Sequence, residues 1–115
     1  MKTMQVFFSS LENLEEAFEE VTSDWGLCAS EREAVRGTSL APSKSRRSSS
    51  FVAERMALVI EIDWLLGSRM ESVEIRQWIR RRVAGVFGSS PLDDMFGSTD
   101  RLRRIRAMLA LENSQ

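Results

Sequence analysis

The chain has 115 residues, 43% hydrophobic and 29% charged, the balance of a globular domain able to bury a core of its own. It contains no histidine and one cysteine, Cys28, which excludes Ser-His-Asp and Cys-His nucleophilic systems, His- or Cys-rich zinc sites and an internal disulfide. The net charge of −1 conceals an asymmetry: residues 1–35 hold eight acids and two bases, a net of −6, and residues 36–115 hold nine acids and fourteen bases, a net of +5.

Two prolines, no tyrosine and many Leu, Met, Ile and Arg residues predict an all-α fold. Ser9 and Glu12 have the spacing of a capping box, and Leu11, Leu14, Phe18 and Val21 then recur as one apolar stripe. Glu12, Glu15, Glu16, Glu19 and Glu20 fill much of the remaining surface, and Asp24-Trp25-Gly26 ends the element. Ser30 and Glu33 repeat the capping-box spacing and predict a short helix through Arg36, stopped by Gly37. The Ser-rich stretch from Thr38 to Ser50 reads as a linker, or Pro42 opens a short helix holding Lys44, Arg46 and Arg47.

Phe51 to Leu66 is predicted as a long helix with Met56, Val59, Ile60 and Leu66 facing inward and Gly67 at its end. Glu61 and Asp63 interrupt its apolar run, which falls far short of the ~20 residues that span a bilayer. With no basic, apolar leader at the N-terminus, a cytoplasmic protein is expected. Ser72 to about Val83 is a further predicted helix, carrying Val73, Ile75, Trp78 and Ile79, and Gly85 and Gly88 mark a loop. Ser90-Pro91-Leu92-Asp93 combines a cap, a first-turn proline and an acid, so a short helix starts there and stops at Gly97. Thr99 and Asp100 open the last helix, with Leu102, Ile105, Met108 and Leu109 on one face and Arg101, Arg103, Arg104 and Arg106 on another.

Catalytic chemistry is not expected, and neither is a cofactor. Gly85-x-x-Gly88 lacks the strand and the following Lys of a phosphate loop. Asp93 and Asp94 are adjacent on a helix, point apart, and are explained by the helix dipole. Cys28 reads as a small apolar residue near a helix junction. Ser43, Lys44, Ser45, Arg46 and Arg47 suit phosphate contacts on DNA, or form a basic linker. Trp78 and Phe96 are either core residues or aromatic anchors of an interface. The arginine runs are either a solvated surface or part of that interface. The Glu-rich first helix either pairs with the basic last helix in a dimer or serves solubility.

The run WIRRRVAGVFGSSPLDDMFGSTDRLRRIRAML, Trp78 to Leu109, resembles the toxin-binding domain of Xre/MbcA/ParS-type bacterial antitoxins. The order and spacing of Trp78, Gly88, Pro91, Leu92, Gly97, Leu102 and Arg106 carry the resemblance. Trp25-Gly26-Leu27, Glu31 and Arg36-Gly37 resemble the start of that family's N-terminal helix-turn-helix, and Glu54-Arg55 the start of its linking helix. The resemblance implies a helix-turn-helix-like DNA-binding and dimerisation region over residues 9–66 and a small helical toxin-binding domain over 67–115. It implies a non-enzymatic antitoxin that neutralises a RES-domain, NAD-consuming toxin and represses its own operon, as a homodimer with no membrane association. Toxin-binding residues are then expected among Trp78, Arg81, Arg82, Phe96, Arg101 and Arg104, and DNA-binding residues among Ser43 to Arg47. The alternatives are a stand-alone transcriptional regulator or adaptor of the same fold, and a structural helical scaffold.

Overall fold

The computed structural model describes residues 11–37, 49–81 and 90–113, and all regular structure among them is helical. Six helices follow one another: α1 (Leu11–Asp24), α2 (Ala29–Arg36), α3 (Ser49–Gly67), α4 (Ser72–Ile79), α5 (Pro91–Phe96) and α6 (Thr99–Asn113). None of them is long and apolar enough to cross a membrane.

Helix α3 is the axle. Met56, Leu58, Val59, Ile60, Ile62, Leu65 and Leu66 are all buried, so apolar side chains leave it in several directions. A helix of that kind needs cover on more than one side, and α1 and α6 supply most of it. Leu14 and Phe18 of α1 and Leu102, Ile105 and Leu109 of α6 join the same core, as do Val35, Ile75, Ile79, Leu92 and Met95 from the three short helices. Leu14, Phe18 and Val21 of the stripe predicted for α1, and the whole stripe predicted for α6, therefore face inward, with Val21 and Met108 half-buried at their edges.

Local signals set most boundaries. After α1, Gly26 adopts a φ of +78°, its N–H donates to the Ser23 carbonyl at 3.0 Å, and the Leu27 N–H reaches back to Thr22 at 3.0 Å. This paired closure satisfies carbonyls left open at a helix end and needs a residue tolerant of positive φ. Gly37 ends α2 in the same region, at φ +97°. Ser90 caps α5 by accepting the Asp93 N–H at 3.1 Å, with Pro91 in the first turn.

Three boundaries differ from the sequence reading: α3 begins at Ser49, two residues before the expected Phe51. Helix α2 is capped at Cys28, not Ser30: the Glu31 carboxylate accepts the Cys28 N–H at 3.0 Å, closing the box two residues earlier in the chain. Helix α4 stops at Ile79 and does not run to Val83. Its last turn tightens as Arg80 and Arg81 donate to Gln77 and Trp78, three residues back, and Arg80 leaves helical geometry. The Ser9 cap, the Pro42 helix start and the Gly85–Gly88 loop lie outside the described residues.

Candidate protein-binding surface

One buried side chain of the axle reaches the C-terminal helices and α2 together. Arg55 on α3 is fully buried. Its Nε donates to the Val35 carbonyl at 2.8 Å, one Nη to the Gly97 carbonyl at 3.1 Å and the Thr99 hydroxyl at 3.3 Å, and the other to the Met95 carbonyl at 2.6 Å. The guanidinium thus gathers the end of α2, the end of α5 and the start of α6. Its planar array of five donors suits carbonyls arriving from several directions. Helix ends leave carbonyls unsatisfied, and burying them without a donor is costly. The α5–Gly97–α6 turn is consequently held in one position.

Beside this clasp lies an unusual carboxylate. Asp94 is fully buried, and neither of its oxygens accepts a hydrogen bond among the described residues. The Arg101 guanidinium stands 3.6 Å from one of them. Asp93, its neighbour, is exposed. The helix dipole accounts for the exposed acid; the buried one is also held by charge from the first turn of α6.

The outward side of α6 carries the basic face expected from its sequence. Arg103 bonds Glu54 on α3 at 2.6 Å and Asp100 at 2.7 Å, and Arg106 reaches Glu61 at 3.3 Å. Arg104 is exposed on the same helix. A shallow depression of about 640 Å³ is lined by Arg103, Arg104, Ala107 and Met108 among others. A second depression, about 280 Å³, brings Trp78 beside Leu66, Met108 and Leu109. Met108 lines both depressions, so Arg104 on one side and Trp78 on the other share it as a neighbour.

The residues singled out from the sequence fall into distinct settings. Trp78 and Phe96 are half-buried and pack against the core, which makes them packing residues with one side open. Arg101 is turned toward Asp94. Arg81 is exposed just beyond α4. Arg82 and the basic group Ser43, Lys44, Ser45, Arg46 and Arg47 lie outside the described residues.

A further ion pair, from Arg80 just past the end of α4, ties that helix to α2. Its guanidinium donates to both Glu31 oxygens at 3.0 and 3.1 Å. With the Cys28 N–H as a second donor, this holds the Glu31 carboxyl down at about 2, against an ordinary 4.5. Cys28 does lie at the junction of α1 and α2, where it caps α2, but it is exposed rather than packed as a small apolar residue. Its thiol is lowered first by the Ser30 hydroxyl 3.3 Å away. On the other side of the molecule, burial raises the Asp63 carboxyl, although the Trp25 indole N–H donates to it at 2.9 Å.

The sequence reading missed Arg55, Asp63 and Trp64. A signal existed for the first: an arginine lies inside a helix whose neighbours are almost all apolar, and such a charge needs partners to be buried. Among the described residues, no group of His, Cys, Asp and Glu side chains could hold a metal ion. Comparison of the chain with family models, curated proteins and solved structures returned no match.

Proposed function

We propose that this chain is the antitoxin of a bacterial type II pair: a non-catalytic protein that binds a RES-domain, NAD-consuming toxin through its C-terminal helices. The observation that carries the reading is the α5–Gly97–α6 unit, fixed on α3 by Arg55 and built on the Ser90-Pro91, Gly97 and Leu102 pattern that resembles the antitoxin domain. An inhibitor that must stay docked gains from a surface already in its bound shape, because little ordering then opposes binding. The exposed Arg104 and Arg81 and the open sides of Trp78 and Phe96 are the proposed contacts, of the residue types that dominate such interfaces. A homodimer that represses its own operon through a helix-turn-helix-like N-terminal half and the basic residues Lys44, Arg46 and Arg47 belongs to the same proposal.

The test is co-expression with a RES-domain protein encoded beside this gene. The two are expected to co-purify, and NAD⁺ consumption by the partner is expected to stop. The double substitution Arg81→Glu, Arg104→Glu should restore NAD⁺ consumption while this chain stays folded, as its helical circular-dichroism signal will show. Undiminished NAD⁺ consumption in the presence of the parent chain would overturn the proposal. For the DNA function, Arg46→Ala with Arg47→Ala should weaken operator binding and flatten its salt dependence; an identical gel shift across salt concentrations would remove DNA from the reading.

A further inference from the structure

Away from α6, one side of the molecule is apolar in its floor and acidic at its rim. Asn13, Glu16, Ala17, Glu20, Val21 and Asp24 line a groove of about 320 Å³ together with Ile60, Asp63 and Trp64. The α1 positions recur at three- and four-residue steps, so they form a single face of that helix, and Ile60, Asp63 and Trp64 form the facing side of α3. Asp24 and Asp63 also line a second depression of about 550 Å³, which continues to Glu71 and Val73 at the start of α4. The two depressions are therefore one surface.

Two of its side chains are out of place for a protein with a well-filled core. Trp64 is 61% exposed and Val73 is 55% exposed. Trp64 lies on the most apolar helix of the fold, one turn from buried Ile60. Between these apolar points stand Glu16, Glu20, Asp24, Asp63 and Glu71, and among the described residues no Lys or Arg lines either depression. Arg76, nearby, is engaged through its Nε with the Asp24 carbonyl at 2.8 Å.

We propose that this α1–α3–α4 surface docks a cationic amphipathic helix of a partner protein, with the partner's apolar stripe on Val21, Ile60, Trp64 and Val73 and its Lys or Arg residues against the acidic rim. A groove between two helices accepts a third by its apolar face, and tryptophan is among the residues enriched as anchors of such contacts. The rim selects the sign of the partner: like charges across an interface are costly, opposite ones speed and orient docking. The same acids repel nucleic acid. A second copy of this chain is a poor counterpart, because Arg103 and Arg106 of its basic helix are already engaged by Glu54 and Glu61 of their own chain. The surface is separate from α6, so this proposal stands or falls independently of toxin binding.

The experiment titrates the full chain with a synthetic Leu/Lys peptide about four helical turns long, and with a peptide of the same apolar stripe carrying Glu in place of Lys. Calorimetry gives affinity and the indole N–H resonances give the site. Binding of the Lys peptide alone is expected, with the Trp64 indole shifting. Trp64→Ser, and separately Glu16→Lys with Glu20→Lys, should each weaken binding by about tenfold or more without moving the unfolding midpoint. The proposal is overturned if the Lys peptide does not bind, if both variants bind it as tightly as the parent, or if the Glu peptide binds equally. It is also overturned if sedimentation shows a homodimer that Trp64→Ser dissociates.

Discussion

Arg55 on α3 donates to the main-chain carbonyl of Met95 on α5 at 2.6 Å, across 40 residues of sequence. With its further bonds to Val35, Gly97 and Thr99, it joins α3 to the end of α2, the end of α5 and the start of α6. Arg55→Met keeps the length and apolar stem but leaves the Val35 and Met95 carbonyls buried without this donor. A loss of about 3 kcal/mol in urea unfolding is expected. Arg55→Lys restores the charge but not the fork of donors, and should recover less than half of that loss. A loss under about 1 kcal/mol for Arg55→Met would show that the clasp is dispensable.

Gly37 and Gly26 both sit at positive φ, but their surroundings differ. A Cβ on Gly37 would lie 2.8 Å from Arg55 Cδ and 2.8 Å from a Phe51 ring carbon, whereas on Gly26 the nearest contact is the Arg76 side chain at 3.3 Å. Gly37→Ala should therefore cost about 2 kcal/mol or more, combining backbone strain with displacement of the clasp. Gly26→Ala should cost only about 1 kcal/mol. Thermal unfolding of the two variants checks the order, and the reverse order would contradict the packing described at Gly37.

The Arg80–Glu31 pair gives stability a definite pH dependence. The folded Glu31 carboxyl titrates at about 2, below its ordinary 4.5, so the folded state holds the proton less tightly than the unfolded one. Stability from this group is present above about 4.5 and is lost as pH falls toward about 2. Glu31→Gln should lower the unfolding midpoint at pH 6, and the gap from the parent should close as the pH approaches about 2. Because the pair is partly solvated, the gap at pH 6 should shrink in high salt. A gap independent of pH would show that the carboxylate charge is not what the pair contributes.

Trp64 and Trp78 make opposite predictions although both lie on helices. Trp78 packs against the core, and Trp64 is 61% exposed. Trp78→Ala should destabilise by about 2 kcal/mol, and Trp64→Ser by no more than about 0.5 kcal/mol. Chemical denaturation of both variants tests this. Equal losses would mean that Trp64 contributes to the fold rather than standing open for a partner.

Sequence alone determined the elements. Ser90 with Pro91, the glycines after α1 and α2, and the stripes of α1 and α6 each act within one or two turns of chain, so capping and periodicity place them without knowledge of the rest. The all-helical class follows from the same local preferences. The tertiary structure decided what no local pattern encodes. It buried Arg55 and Asp94, and left Trp64 open. In each of these cases the outcome depends on which segments meet, some 40 residues apart for Arg55 and Met95. A charge is buried where distant carbonyls converge on it, and an indole stays exposed where α1 and α3 diverge into a groove. Those are properties of the packed molecule, and they are where its candidate binding surfaces lie.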